Sequence, residues 1–523
     1  MGLLLLVGLA SGWLHSNTVA ADLVCSSPTT INTPTTYDNV TVQNGCTLTV
    51  DAALTVNNNM TVQATGVVTH SGYPTNLSSG LVLNVTGQLQ VDANGVIEAT
   101  GRGLRGGNNN SAFGVFGEAY DPTTGLVVSG ASSCVGGSYG GFGGQSFAGC
   151  PTPVKNPPYG LVEDPHQYGS GGGSASANGG GAGGGRIQIS AGQLINNGAI
   201  RANGTTVFAG GSGGGVRIDC GTLSGSGVVE AKGGTGTASQ AGGGGGRVAV
   251  YYTANTFSGT YSAAGGGNSG GNSQGGAAGT VYLRATGSAA VLRLGAAGPG
   301  GNTTPLRTGE VRFKSIDLSG AAHLTLSAAD FPSPGILTLE SALVIPSGTA
   351  VDLSSGVTLG FDGVAFPNID LASGGSVSLA SGSALSTGTS VRVAGVMTSS
   401  TPLTFVAAAD FQLLAGSDFS LAGTAILIVP SFNTPNIQGG TFRVLPGTEL
   451  RVGDSQLTVG PLVTLFKDGR LGPSDQLTSL QVSGTLTHSG YPTNLSSGLV
   501  LNVTGQLQVD ANGVIEATGR GLR

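Results

Sequence analysis

Apolar and polar residues alternate in short runs along much of the chain. Between residues 37 and 99 these runs are Val40-Thr41-Val42, Leu48-Thr49-Val50, Leu54-Thr55-Val56, Met60-Thr61-Val62, Leu81-Val82-Leu83, Leu89-Gln90-Val91 and Val96-Ile97-Glu98-Ala99. A period of two with frequent β-branched residues predicts strands that each bury one face, and the Asn and Gly residues between runs predict turns. The grammar returns over residues 306–486, as in Leu324-Thr325-Leu326, Val377-Ser378-Leu379 and Leu457-Thr458-Val459. No stretch carries a sustained helical period, so an all-β chain is expected.

Two phrases alternate between these sections. In one, a glycine run feeds a strand: GGRIQI at 184–189, GGVRI at 214–218, GGRVAV at 245–250 and AGTVYL at 278–283. Measured from Arg186 through Arg217 and Arg247 to Thr280, it recurs after 31, 30 and 33 residues. The other has the form Gly-x-apolar-x-Ala-x-Gly: GVIEATG at 95–101, GAIRANG at 198–204, GVVEAKG at 227–233 and GTYSAAG at 259–265. Periods of twenty to fifty residues indicate a stacked solenoid. Glycine there is expected to turn the corners with positive φ and to let backbones approach closely.

A longer repeat overlies this one. Residues 69–105 recur unchanged at 487–523, an offset of 418, and the likeness decays gradually upstream. The chain is therefore read as a fragment of a longer tandem-repeat protein. Its sections are a secretory signal peptide (1–21), N-terminal solenoid coils (22–105), an irregular Gly- and aromatic-rich loop insertion (106–183), Gly-rich repeats of about 31 residues (184–305), C-terminal coils (306–486) and the start of a second unit (487–523).

Composition narrows the class. Glycine contributes 96 of 523 residues, 58 of them in residues 101–300, and only 9% of residues are charged, against about 7% glycine and about 25% charged in ordinary domains. Collagen needs glycine at every third position, which the blocks do not provide. A hydrophobic share of 39% and a net charge of -6 argue against disorder. Twenty Lys and Arg give no nucleic-acid footprint, and no segment is long enough for a membrane span. The apolar run at 3–14 followed by Val19-Ala20-Ala21 reads as the secretory signal, although no Lys or Arg precedes it, which leaves Met1 open as an internal methionine. Five cysteines fit an oxidising compartment, with Cys25–Cys46 and Cys134–Cys150 as candidate bridges and Cys220 left over.

The string Leu480-Gln481-Val482-Ser483-Gly484-Thr485-Leu486-Thr487-His488-Ser489, then GQLQVDANGVIEATGRG, then glycine blocks entering GRIQI and GRVAVYY, resembles the glycine-rich β-helical repeat proteins of bacterial surfaces. These are large adhesin-like secreted chains, broadly like filamentous haemagglutinin and autotransporter passengers. The resemblance implies a right-handed parallel β-helix and an extracellular structural or adhesive role.

Candidate chemistry is sparse. No glycine loop opens a helix in a phosphate-binding context, and the glycine blocks lack the repeated Asp of calcium-binding nonapeptides; no metal or cofactor is expected. Glu163, Asp164 and His166 form the best acid–base cluster, and a polysaccharide lyase or hydrolase would use such groups. Adjacent residues of one irregular loop seldom converge on one substrate atom, so a solvated turn is the favoured reading. In the insertion, Tyr120, Tyr139, Tyr159 and Tyr168 either stack on sugars or proteins or close a mini-core beneath the loop. The functional expectation is a secreted or cell-surface, non-catalytic repeat protein. Glycans, surface proteins of host or neighbouring cells, and further copies of the unit are its expected partners; the alternatives are a polysaccharide-cleaving enzyme and a passive spacer.

Overall fold

The computed structural model describes residues 21–521 except 73–79, 109–110, 122, 147–152, 175–178, 238–239, 269–272, 299, 301, 365–366, 381–382, 386–390, 400–403, 407–410, 415–416, 422–425, 430–437 and 491–497. The signal-peptide reading thus lies, but for residue 21, outside the described residues. Those described form an all-β protein of mainly parallel sheets, with no α-helix and one 3-10 turn at Ala328–Asp330. None offers a helix long and apolar enough to cross a membrane.

The alternating runs become strands with every second residue buried, such as Val40–Val42, Leu54–Val56 and Met60–Val62. In the largest sheet Leu23–Cys25, Val40–Val42, Met60–Val62, Leu81–Val91, Arg186–Asn196, Gly215–Ser224, Arg247–Asn255 and Thr280–Ala285 lie side by side in parallel. The second phrase builds another parallel ladder, from Thr29–Ile31 through Thr47–Val50, Val67–Thr69, Val96–Glu98, Ala199–Arg201 and Val228–Glu230 to Thr260–Ser262. Ile187, Val216 and Val248 of the first ladder and Ile97, Ile200 and Val229 of the second share one core. At its N-terminal end a Cys25–Cys46 disulfide joins neighbouring coils, with Cα atoms 6.0 Å apart.

The register corrects the expected spacing. Arg186 pairs with Gly215, Gly215 with Arg247, and Arg247 with Thr280, so the steps are 29, 32 and 33 residues. Arg217 stands two residues further on, beside Gln188 and Ala249. A slip of two keeps every side chain on its face, so the alternation alone could not distinguish the two registers.

Strand direction reverses once along the large sheet. Thr280–Ala285 pairs antiparallel with Ala290–Leu294, and the parallel sense resumes at Arg312–Leu318. The core changes face at the same place. Val248, Val250, Val281 and Leu283 point into the first core, whereas Ala249, Tyr282, Leu292 and Phe313 belong to a second core that runs on to Leu486. The sheet is therefore buried on both sides near the hairpin. Reversing both direction and core side leaves the winding sense of the coils unchanged.

Of the two roles expected of glycine, the blocks show close approach and not the turning of corners, which falls to glycines elsewhere such as Gly45, Gly348 and Gly374. In the blocks 169–173, 180–185, 210–215, 242–246 and 275–279 no described glycine has positive φ. Apart from Gly215, which opens a strand of the large sheet, these segments lie outside the ladders, and they are largely buried. They bond to one another, and to Gly234 beside them, through the backbone: Gly172 N to Gly181 O, Gly184 N to Ser212 O, Gly213 N to Gly244 O, Gly245 N to Ala277 O and Gly243 N to Gly234 O, at 2.8–3.0 Å. A Cβ on Gly211, Gly213 or Gly243 would stand 2.0 Å from a backbone oxygen. Close approach, not turning, selects glycine here.

The exactly repeated segment docks twice. Val67 pairs with Val96 and Thr485 with Val514. Thr69 Oγ1 donates to Glu98 O at 2.6 Å and Thr487 Oγ1 to Glu516 O at 2.8 Å. Ser71 donates through N and Oγ to the Asp51 carboxylate, and Ser489 does the same to Asp468. The two copies differ in cover. Leu89 and Val91, enclosed between Met60–Val62 and Arg186–Asn196, are 0% exposed; their counterparts Leu507 and Val509 are 48% and 49% exposed.

Candidate functional site

The described residues of 106–183 leave the ladders between two strands that pair directly, Leu81–Val91 and Arg186–Asn196. Part of this excursion covers the outer face of the large sheet. There Arg186, Gly215, Arg247 and Thr280 form one cross-strand column. A hairpin, Glu118–Tyr120 with Val127–Ser129, is fixed from below by the fully buried Glu118. Arg105 donates to that carboxylate from its backbone N at 3.0 Å and its Nε at 2.9 Å, and Ala112 N donates at 3.1 Å. Cys134 is disulfide-bonded; Cys150 lies outside the described residues, and Cys220 is free.

The structure brings the predicted tyrosines together, but mostly inside. Tyr139, Tyr159 and Tyr168 are at most 1% exposed. Tyr159 packs against Tyr139 with ring centroids 4.7 Å apart and meets Tyr120 edge-on at 5.5 Å. Its hydroxyl donates to Tyr168 O at 2.6 Å. Burial pushes the Tyr139 and Tyr159 phenols well above their ordinary value. These three form the mini-core, and an exposed stacking role is corrected for them because the rings are enclosed. Only Tyr120 keeps a partly open ring.

The acid–base cluster is also brought to this place, where its members turn to different partners. Glu163 accepts from Thr308 Oγ1 at 3.0 Å and Gly309 N at 2.6 Å, fastening the loop to the next section. Asp164 accepts from Arg217 Nη1 at 2.8 Å and lies 3.0 Å from His166 Nδ1. Gln167 Nε2 lies 2.8 Å from His166 Nε2 and donates to it when the imidazole is protonated on Nδ1. Both imidazole nitrogens are thereby engaged, and the two carboxylates do not face a common point.

A cavity of about 440 Å³ opens where the hairpin, the 159–167 loop and the sheet meet; Tyr120, Asp121, Leu161, His166, Arg186 and Arg307 line it. Behind Tyr159 lies Arg247, which is 0% exposed. It donates from Nε to Tyr159 O at 3.1 Å and from Nη1 to Thr280 Oγ1 at 3.2 Å, while Nη2 has no hydrogen-bond partner. Burial lowers its pKa to about 10, so it remains a cation at neutral pH. Sequence reasoning missed Arg186, Arg247 and Arg307 as site residues. The first two were visible as the Arg of GGRIQI and GGRVAV, charged residues opening otherwise apolar strands, but nothing in the sequence brings Arg307 beside them.

No protein-family model matches the chain, and no curated protein matches it in sequence.

Proposed function

We propose that this chain is part of a secreted or cell-surface structural protein, adhesin-like, whose coils form a right-handed parallel β-helix and present a rigid surface for adhesion or matrix contact. The twice-docked segment carries the reading: 37 identical residues meet two different preceding coils through the same paired Ser-to-Asp contacts, Ser71 on Asp51 and Ser489 on Asp468. Such interchangeability is what repeat proteins need, because each coil recognises only its neighbours. Right-handed winding accords with the strong preference of parallel β crossovers, and the Cys25–Cys46 bond accords with an oxidising compartment. The exposed Leu507 and Val509 suit cover by a strand of the Arg186–Asn196 type from a further copy of the unit.

Beads coated with the folded chain test adhesion. Retention on extracellular matrix or cell surfaces above that of beads carrying the heat-unfolded chain is expected. Equal retention would refute adhesion and favour a passive spacer.

A further inference from the structure

A second depression, of about 220 Å³, adjoins the first cavity and shares Tyr120 and Asp121 with it. Arg186 and Arg307 line one side of this pair, and Lys155 lines the other. Arg307 meets its carboxylate neighbour Asp330 only at 3.6 Å, and its Nε has no hydrogen-bond partner. Among the described residues no carboxylate stands within ion-pair distance of the enclosed Arg247. Glu163 and Asp330 act on it only from beyond ion-pair distance, and an enclosed cation so incompletely compensated adds positive potential to the adjoining space. Two adjacent hollows, each with a cation and sharing Tyr120 and Asp121, match a ligand whose negative charges repeat on either side of a hydroxyl-bearing ring.

We propose that this double hollow binds an acidic polysaccharide. Carboxylated sugars occupy the two depressions, one meeting Arg307 and Arg186 and the other meeting Lys155, astride Tyr120. The amphipathic tyrosine ring accepts the C–H face of a sugar, and Asp121 accepts from a ring hydroxyl. Asp121 suits that task because Thr123 N and Thr124 N, at 2.7 and 3.1 Å, hold it ionised. The proposal deepens the adhesive reading by naming a ligand. A chain that adheres through other surfaces but fails here overturns the site alone.

The test is calorimetric titration of the full chain with oligogalacturonate, a neutral maltooligosaccharide of equal length and an oligoglutamate peptide. Binding of oligogalacturonate alone is expected, weakening as salt rises. Arg307→Gln and Tyr120→Ala should each weaken it at least tenfold with unchanged circular dichroism, and Lys155→Gln should do so only for oligomers long enough to span both hollows. Should Arg307→Gln unfold the loop, Tyr120→Ala decides by itself, since its ring is partly exposed. No binding, equal binding of the neutral sugar, tighter binding of oligoglutamate, or an affinity indifferent to Tyr120→Ala would each overturn the proposal.

Discussion

Alanine at Gly243 adds a single methyl group where the backbone has left no room for one. Its Cβ would stand 2.0 Å from Gly211 O and 2.5 Å from Gly211 C, both backbone atoms. Relief requires a shift of about 1 Å, since overpacked interiors relax by moving backbone. Gly211 O already accepts from Gly234 N at 2.8 Å, Gly243 N donates to Gly234 O at 2.9 Å, and Gly266 N donates to Gly243 O at 2.7 Å. That shift would carry these three bonds out of range. Each of the three buried bonds lost costs about 1–3 kcal/mol, while alanine's lower unfolded-state entropy returns only about 0.4–1 kcal/mol. The net loss is roughly 2–8 kcal/mol by these figures. Gly295→Ala is the control, because nothing lies within 4 Å of its Cβ position and its φ is not positive. Urea unfolding, with native-state hydrogen exchange at Gly234 and Gly266, reads both. Equal stability of the two variants would refute the packed-backbone account.

Other consequences can be measured as directly. Leu89→Ala should cost about 2–5 kcal/mol as a buried truncation, whereas Leu507→Ala, in identical local sequence but 48% exposed, should cost under about 1 kcal/mol; equal losses in urea melts would refute the difference in cover. His70 is 2% exposed, and burial lowers its pKa from 6.5 to about 4. Its folded pKa is thus below the unfolded one, so stability is lost as pH falls from about 6.5 towards 4, by roughly 3 kcal/mol in total; His70→Gln should flatten that part of the pH–stability profile. Replacing Cys25 and Cys46 by serine should cost about 3 kcal/mol from the unfolded-state constraint, read as faster exchange confined to residues 23–50.

The sequence made the strands visible because each buries one face, and a period of two records that directly. It also exposed the repeat, since Thr69, Ser71 and their copies Thr487 and Ser489 keep the same partners. Register was harder: Arg217 two positions out of column leaves the pattern unchanged. The change of core face at Tyr282 did leave a trace, for VAVYY and TVYL are continuous apolar runs of the kind found when both faces of a strand are covered. The insertion's tyrosines are chemically suited to either a surface or an interior, and burial decided between them at Tyr139, Tyr159 and Tyr168. The cations at the cavity, Arg186 and Arg307, and Arg247 behind it come from distant positions whose proximity depends on how the sheet stacks.

The glycine blocks bear on how stability varies with temperature. Exposing apolar surface raises heat capacity by about 0.45 cal/K/mol/Å², whereas exposing polar surface lowers it by about 0.26. Unfolding blocks such as 210–215 and 242–246, which are buried and tied through peptide groups, uncovers mostly polar backbone. Their heat-capacity increment per residue should fall below the roughly 12–15 cal/mol/K of ordinary domains. A smaller increment flattens the curve of free energy against temperature. Alongside its two apolar cores, this protein carries a section whose hold on the fold should change little from cold to warm.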